Sequence, residues 1–216
     1  MSSLINLSGV NVIAGAISVP YSGPWHADLV LSDPTDVSGQ QTLAFFGVNW
    51  TCSYVRDISF AGRRGVRLVS GSGGWRKTLP AKQYGAGVIA TSTVASDAAL
   101  AVGEPRPVVD SSAPQTVGAA FCRSAGLASQ VLQQLFGSAW YVDTSGVVQT
   151  APRAGSVSTY FAAIESDLSA GSLLLGTDSP NDWLPGKTFS CPTIAGTVNR
   201  VMHYVSNEIR TEAMFS

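Results

Sequence analysis

Residues 112–137, SAPQTVGAAFCRSAGLASQVLQQLFG, are the segment around which the rest of the chain is organised. Ser112 and Gln115 have the spacing of a helix capping box, and Pro114 suits a first helical turn because its missing N–H is not needed there. Gly126 offers a residue that ends a helix, and apolar residues recur at helical spacing after it. The sequence therefore predicts a helical clasp, with one helix before Gly126 and one after it.

The segments on both sides of the clasp have the pattern of β-strands. Short runs of β-branched and aromatic residues alternate with turns rich in glycine and proline, which is typical of a small barrel or sandwich. We therefore predict a mainly β fold of the α+β class, with a first β module over residues 1–87, a connector over residues 88–138 and a second β module over residues 139–216. Within the connector, residues 88–103 are ambiguous, because the first of them favour a strand and those from Ser96 onward favour one or two helical turns.

The chain carries little charge. Charged residues make up 12% of its 216 residues, about half the fraction of an ordinary soluble domain, and the net charge is −1. Such a chain either crosses a membrane or covers much of its surface with partners. No run approaches the roughly 20 apolar residues of a spanning helix, and no basic residue precedes an apolar block near the N-terminus. We therefore expect no membrane-spanning segment and no secretory signal, and we predict a subunit of an assembly.

Three cysteines, Cys52, Cys122 and Cys191, are widely spaced and form no C-x-x-C pair. With only two histidines in the chain, His26 and His203, we predict no metal site, and we interpret the cysteines as buried free thiols in a reducing compartment. A cysteine hydrolase needs a histidine beside its thiol, and nothing in the sequence brings either histidine near Cys122. We therefore predict no catalytic cysteine.

Residues 71–78, GSGGWRKT, are similar to a phosphate-binding loop but depart from it at one position. That loop needs glycine directly before the lysine, and here Arg76 precedes Lys77. The neighbouring segments also favour strands, so we interpret residues 71–74 as a flexible loop. Five carboxylates are candidates for glycosidic chemistry, but all lie in or beside predicted turns, where solvated acidic residues are ordinary: Asp143, Glu165, Asp167, Asp178 and Asp182. We predict no catalytic residues and no cofactor, and we predict that the chain is not an enzyme.

A cluster of basic residues occupies a window that has no acidic residue. Between Asp57 and Asp97 the chain carries no carboxylate side chain, and six of its 13 basic residues fall there: Arg63, Arg64, Arg67, Arg76, Lys77 and Lys82. One interpretation is an ordinary solvated face. The other is a partner interface that contacts an acidic protein surface or nucleic acid. The six residues are our candidate interface.

Three stretches, taken in order, carry a resemblance to a known family. They are GPW at 23–25 within residues 10–31, GGWR at 73–76 followed by LPAKQY at 79–84, and WLPGKTF at 183–189 followed by VMHYV at 201–205. The hairpin sequence at 140–148, which leads to APR at 151–153, fits with them. In these stretches the chain resembles the baseplate hub proteins of long-tailed bacteriophages.

The resemblance implies a homotrimer at the distal end of the tail tube. Each subunit would carry two tube-type β-barrel modules joined by a helical connector. Three subunits would then offer six barrels, which match the six-fold tube above to a three-fold spike or fibre below. The implied neighbours are the tail tube or distal tail protein, the central spike or fibre, the tape-measure protein and DNA in transit. The protein would lie in the virion, at the tail tip or baseplate, after assembly in the host cytoplasm.

The chain departs from this family in length, because it is shorter than many hubs and leaves no room for a fused lysozyme or peptidase domain. It also lacks a cysteine-rich tail, so an iron–sulfur site is not expected. Two alternatives stay open. One is another tail-tip module, either the distal tail ring or a receptor-binding β domain. The other is a small cell-wall hydrolase.

Overall fold

The structure, a computed structural model, describes residues 5–33, 36–60, 63–85, 87–191 and 193–216. The N-terminal part of the chain forms six strands: β1 (Ile5–Leu7), β2 (Val10–Pro20), β3 (His26–Leu31), β4 (Gln40–Phe45), β5 (Val48–Phe60) and β6 (Arg63–Ser70). They pair antiparallel in the order β1-β4-β5-β6-β3-β2, and a further pairing of β1 with β2 closes the ring. The result is a six-stranded β-barrel.

Alternation along the strands decides which side chains fill this barrel. On β3, Ala27 and Leu29 are fully buried, whereas His26 faces out. Two strands approach closely at Gly15 on β2, where φ is +145° and a Cβ would overlap the carbonyl oxygen of Asp28. Only glycine allows β2 and β3 to pair so closely at that point.

The middle of the chain forms two helices and several two-residue strands. In order these are a 3-10 helix (Gly74–Arg76), β7 (Thr78–Leu79), β8 (Lys82–Gln83), β9 (Ile89–Ala90), α1 (Thr91–Val102), β10 (Thr116–Val117), β11 (Cys122–Arg123), β12 (Gly126–Leu127), α2 (Ala128–Phe136), β13 (Tyr141–Val142) and β14 (Val148–Gln149). The ambiguous residues 88–103 thus contain a short strand and a full helix. Helix α1 ends at Gly103, whose φ of 78° is left-handed.

The predicted clasp is half wrong. Helix α2 is where the second clasp helix was predicted, and its apolar stripe is buried. The first clasp helix does not exist, because β10, β11 and β12 pair with β9, β8 and β7 and hold that segment extended. The expected capping residues close a turn instead: the Ser112 N–H and hydroxyl donate to the Asp110 carboxylate, and the Gln115 amide donates to the Asp110 carbonyl.

The C-terminal part returns to strands and joins the first sheet. Its elements are β15 (Phe161–Asp167), β16 (Ser172–Thr177), a 3-10 helix (Pro180–Asp182), β17 (Thr188–Ser190), β18 (Ala195–Val205) and β19 (Ile209–Phe215). Strand β18 pairs with residues 15–20 of β2, and the sheet continues through β19 and β16 to β15, while β17 pairs with the other end of β18. Strand β2 is long enough to pair with β1 near its start and with β18 near its end. The six N-terminal strands and the five C-terminal strands therefore form one sheet of eleven strands.

The buried apolar residues form two cores, and these do not divide the chain into an N-terminal and a C-terminal barrel. One core joins residues 5–68 with residues 173–213, and the other lies within residues 75–148 around α1 and α2. The mainly β fold, with a closed six-stranded barrel and two helices, is confirmed. Two separate barrel modules are not confirmed, because the terminal strands extend the first sheet. The boundaries at residues 87 and 138 stay a prediction.

Candidate interaction surface

The fold supplies carboxylates for several of the six basic residues of the predicted interface. Arg67 binds Asp28 through two hydrogen bonds of 2.7 and 2.5 Å, and Lys82 pairs with Asp97 at 2.6 Å. Arg64 pairs with Asp57 and Asp36. The Lys77 ammonium donates to the Val102 carbonyl, at the end of α1. Arg63 is exposed at the start of β6. The window without acidic residues is therefore partly neutralised by carboxylates from elsewhere in the chain.

The glycine-rich loop at residues 71–74 is anchored, which the sequence did not predict. The Glu104 carboxylate is 7% exposed and accepts hydrogen bonds from the N–H groups of Ser72 (3.1 Å) and Gly74 (2.5 Å). The Trp75 N–H also acts on this carboxylate, and successive N–H groups such as those of Gly74 and Trp75 form an anion-binding nest. Gly74 is required because a Cβ there would lie 2.5 Å from the Val102 carbonyl oxygen. The similarity to a phosphate-binding loop is thus real, but the protein's own carboxylate fills the nest.

Burial and hydrogen bonding act in opposite directions on Glu104. Burial, the larger effect, raises the pKa of its carboxyl above the ordinary value, while the hydrogen bonds from the loop N–H groups lower it. The loop fixes the backbone immediately before Arg76, an exposed residue in the 3-10 helix that follows. The fold therefore fixes the backbone position of Arg76.

Five side chains form a basic face on the outside of the barrel: His26, Arg56, Arg67, Arg76 and Arg200. Arg67 lies opposite Asp28 in the register of β3 and β6, and Arg56 lies opposite Arg67 on β5. Arg200 comes from β18 and donates to the Ser18 hydroxyl on β2, next to His26. Arg67, Arg76 and His26 together line a cleft of about 310 Å³.

Two guanidinium groups of this basic face, those of Arg67 and Arg56, act on the Asp28 carboxylate. The two hydrogen bonds from Arg67 lower the pKa of Asp28 and raise that of Arg67, so the pair is ionised at neutral pH. The pKa of His26 is lowered, first by partial desolvation and then by Arg67 and Arg200, and Asp28 opposes this shift. His26 is therefore neutral at physiological pH, and the positive charge comes from the arginines.

The basic face includes only two of the six residues predicted from the sequence window, Arg67 and Arg76. Arg56 lies just outside that window, and Arg200 is brought in by the pairing of β18 with β2. Alternation along β3 already placed His26 on an outward side. No local signal in the sequence placed Arg200 here, because its position depends on pairing with β2, and its partner Ser18 is 182 positions away in the chain.

Acidic side chains occupy the other end of the same sheet surface. Glu165 and Asp167 on edge strand β15, together with Glu212 on β19, line an open depression of about 500 Å³, which we call the acidic edge. Glu212 accepts hydrogen bonds from the Tyr204 hydroxyl (2.7 Å) and the Ser172 hydroxyl (3.3 Å). Tyr204 and Arg200 are four residues apart on β18 and both are exposed, so the basic face and the acidic edge share one side of the sheet.

The cysteines differ from the prediction of three buried thiols. Cys52 is buried, and burial raises its pKa to about 12, but Cys122 is exposed and Cys191 is partly exposed. His203 is buried in the barrel core, where its Nδ1 is 2.9 Å from the Thr211 hydroxyl, and desolvation lowers its pKa to about 3. Among the described residues, no group of three potential metal-binding side chains occurs.

Comparison with protein-family models and with curated protein sequences gives no match. The part of the chain that the structure describes contains no helix that is both long and apolar enough to cross a membrane. The geometry of the sheet surface therefore carries the functional interpretation.

Proposed function

We propose that the protein is a structural, ring-forming subunit, the baseplate hub of a long-tailed bacteriophage, without a catalytic role. The observation that carries this proposal is the opposite charge at the two ends of one sheet surface. The basic face lies on β3, β5, β6 and β18 and on the 3-10 helix before β7, and the acidic edge lies on β15 and β19. A second copy of the chain is the simplest partner that offers both charges.

Head-to-tail contact between copies follows from this distribution. When the basic face of one subunit meets the acidic edge of the next, each subunit uses both surfaces, and a closing rotation gives a ring. Exposed ion pairs contribute only about 0–1 kcal/mol each, but they set the register of the contact and exclude other partners. Strand β15 adds an unpaired sheet edge at the acidic side, where exposed Ile164 offers apolar area.

The resemblance supplies the finer part of the proposal. A ring of three subunits, each offering the barrel and the terminal sheet as its two tube-type modules, would adapt the six-fold tail tube to a three-fold spike or fibre. The connector would be residues 88–138, which contain α1 and α2. The neighbours would be the tail tube or distal tail protein, the spike or fibre, the tape-measure protein and DNA in transit through the central channel. The protein would be located at the tail tip of the virion.

A charge-exchange experiment tests the ring. We expect Arg56→Glu alone, or Glu165→Lys alone, to prevent assembly of the purified chain with its tail-tube neighbour, measured as mass by light scattering and native mass spectrometry. Both substitutions in one chain should restore assembly, because every contact is then again between opposite charges. Arg106→Glu, which changes an exposed arginine of the connector, is the matched control.

Three results would contradict the proposal. Full assembly of both single variants would show that pairing of opposite charges does not hold the subunits together. Six copies per tail tip, counted by quantitative mass spectrometry, would favour the distal tail ring. Turnover of peptidoglycan by the purified chain would favour the cell-wall hydrolase.

A further inference from the structure

A cavity of about 320 Å³ lies where the end of β2, the middle segment and the terminal segment meet. Six of its 13 lining residues are aromatic or proline: Tyr21, Trp140, Tyr141, Pro114, Pro152 and Pro185. This volume is within the range of sites that bind small ligands or single side chains. Arg153 is the one charged side chain in the lining.

The groups in direct contact with Arg153 are uncharged, and the Asp143 carboxylate acts on its guanidinium electrostatically. Its Nη1 donates to the Pro20 carbonyl at 3.1 Å, and its Cζ lies 3.7 Å from the centroid of the Tyr141 ring. In the described part of the chain, no carboxylate forms an ion pair with this guanidinium. Burial lowers its pKa to about 10, so it stays charged at neutral pH. Asp143, which makes no ion pair with it, offsets only part of the cost of withdrawing this cation from water, and an incoming carboxylate at hydrogen-bonding distance would offset more of that cost.

The backbone holds this group in place. Gly186, with φ of +93°, lies against Arg153 so closely that a Cβ there would be 2.6 Å from the Arg153 carbonyl oxygen. On the other side, the N–H of Gly23 donates to the Trp140 carbonyl at 2.9 Å, and Tyr141 pairs with Gln149. Such fixed walls lose little conformational entropy when a ligand binds.

We infer that this cavity binds a carboxylate borne on an apolar group, and that the natural occupant is the C-terminal residue of a polypeptide with an apolar side chain. The guanidinium accommodates a carboxylate through two parallel hydrogen bonds, and the rings and prolines take the apolar part. This site is separate from the basic face and from the acidic edge, and it does not depend on the proposed ring.

Binding of model compounds to the full chain tests the inference. We would titrate it with a hexapeptide ending in phenylalanine, with the same peptide as its C-terminal amide, and with N-acetyl-phenylalanine, following tryptophan fluorescence and amide NMR shifts. The free-acid peptide should bind at least tenfold more tightly than its amide. Equal binding of acid and amide would overturn the site. Binding of N-acetyl-phenylalanine but not of the peptide would keep the carboxylate site and overturn a polypeptide as its occupant.

Two variants locate the effect in the cavity. Arg153→Gln should remove the preference for the acid, and Arg153→Lys should keep part of it, whereas Arg106→Gln should change nothing. Should Arg153→Gln fail to fold, Ala139→Phe provides an independent test, because Ala139 is an exposed residue of the cavity wall and a phenyl ring would block the entrance. Unchanged binding in Ala139→Phe would refute the location. Ring assembly is not read in these titrations, so they can fail while the proposed function holds.

Discussion

Removal of the Glu104 carboxylate should unlock the glycine-rich loop. In Glu104→Ala, the N–H groups of Ser72 and Gly74 lose their acceptor, and both lie in a packed region where Gly74 contacts the end of α1. A buried donor without a partner costs roughly 1–3 kcal/mol. Two effects offset part of this loss of stability: water enters the space left by the side chain, and the folded protein no longer buries a charge.

We therefore expect Glu104→Ala to lower the free energy of unfolding by about 2–4 kcal/mol. For a chain of this length, each kcal/mol shifts the midpoint of thermal unfolding by about 2–4 °C, so the midpoint should fall by roughly 4–16 °C. Glu104→Gln should cost less, because its amide oxygen keeps one acceptor for the loop while its NH₂ group faces the other donor.

The pH dependence has a defined sign. The pKa of Glu104 is raised in the folded protein, so the folded state binds its proton more tightly than the unfolded chain does. Stability from this group is greatest below the ordinary carboxyl value of 4.5 and declines as pH rises from there through the folded pKa. Both variants should lack this decline.

Urea and thermal unfolding of the three proteins at pH 4 to 8, followed by circular dichroism, measures these effects. Asp178→Ala, which removes an exposed carboxylate, is the matched control and should unfold with wild type. If Glu104→Ala also unfolds at the wild-type midpoint, the loop does not depend on its internal anion.

Three other changes test separate parts of the structure. Leu132→Ala should cost roughly 2–5 kcal/mol in urea unfolding, because the side chain is fully buried in the helical core; an unchanged midpoint with failed assembly would make that stripe an interface. Asn181→Ala should cost about 1–3 kcal/mol, because it removes the acceptor 3.1 Å from the buried Trp50 indole N–H, and a calorimetric midpoint equal to wild type would contradict this. Arg67→Gln should let the pKa of Asp28 rise towards its ordinary value in an NMR titration. In the wild type the pair stabilises the fold until pH falls through the lowered pKa of Asp28, whereas in the variant this stabilisation is absent even at neutral pH. An unchanged pKa would mean that Arg67 does not hold the carboxylate.

Local pattern was enough for some elements of the fold. The helical spacing of Val131, Leu132 and Leu135 predicted α2, and these residues are buried. Apolar and charged residues alternate along residues 208–213, and in β19 Ile209 and Ala213 both pack on the core. In both cases neighbours in the chain share one environment, so periodicity alone identifies the buried side.

Local pattern failed where a distant partner decided the outcome. The capping residues near Ser112 bind Asp110 in a turn, and the segment after them is held extended by short strands from residues 78–90. The glycine-rich loop had the composition of a flexible segment, but its anion comes from Glu104, 32 positions from Ser72. A propensity of a few tenths of a kcal/mol per residue is smaller than the gain from pairing and burial, so tertiary contacts override it.

The sequence by itself determined that the chain is mainly β, that strands occupy its N-terminal and C-terminal parts, and that few of its residues are charged. Only the tertiary structure decided that both ends of the chain share one core, because β2 pairs with β18. That pairing also brings Arg200 beside His26 and places the acidic edge on the same sheet surface. Strand register and the choice of partner strand depend on contacts between residues far apart in the chain. The alternation within one strand shows which side is buried but does not indicate which strand pairs with it.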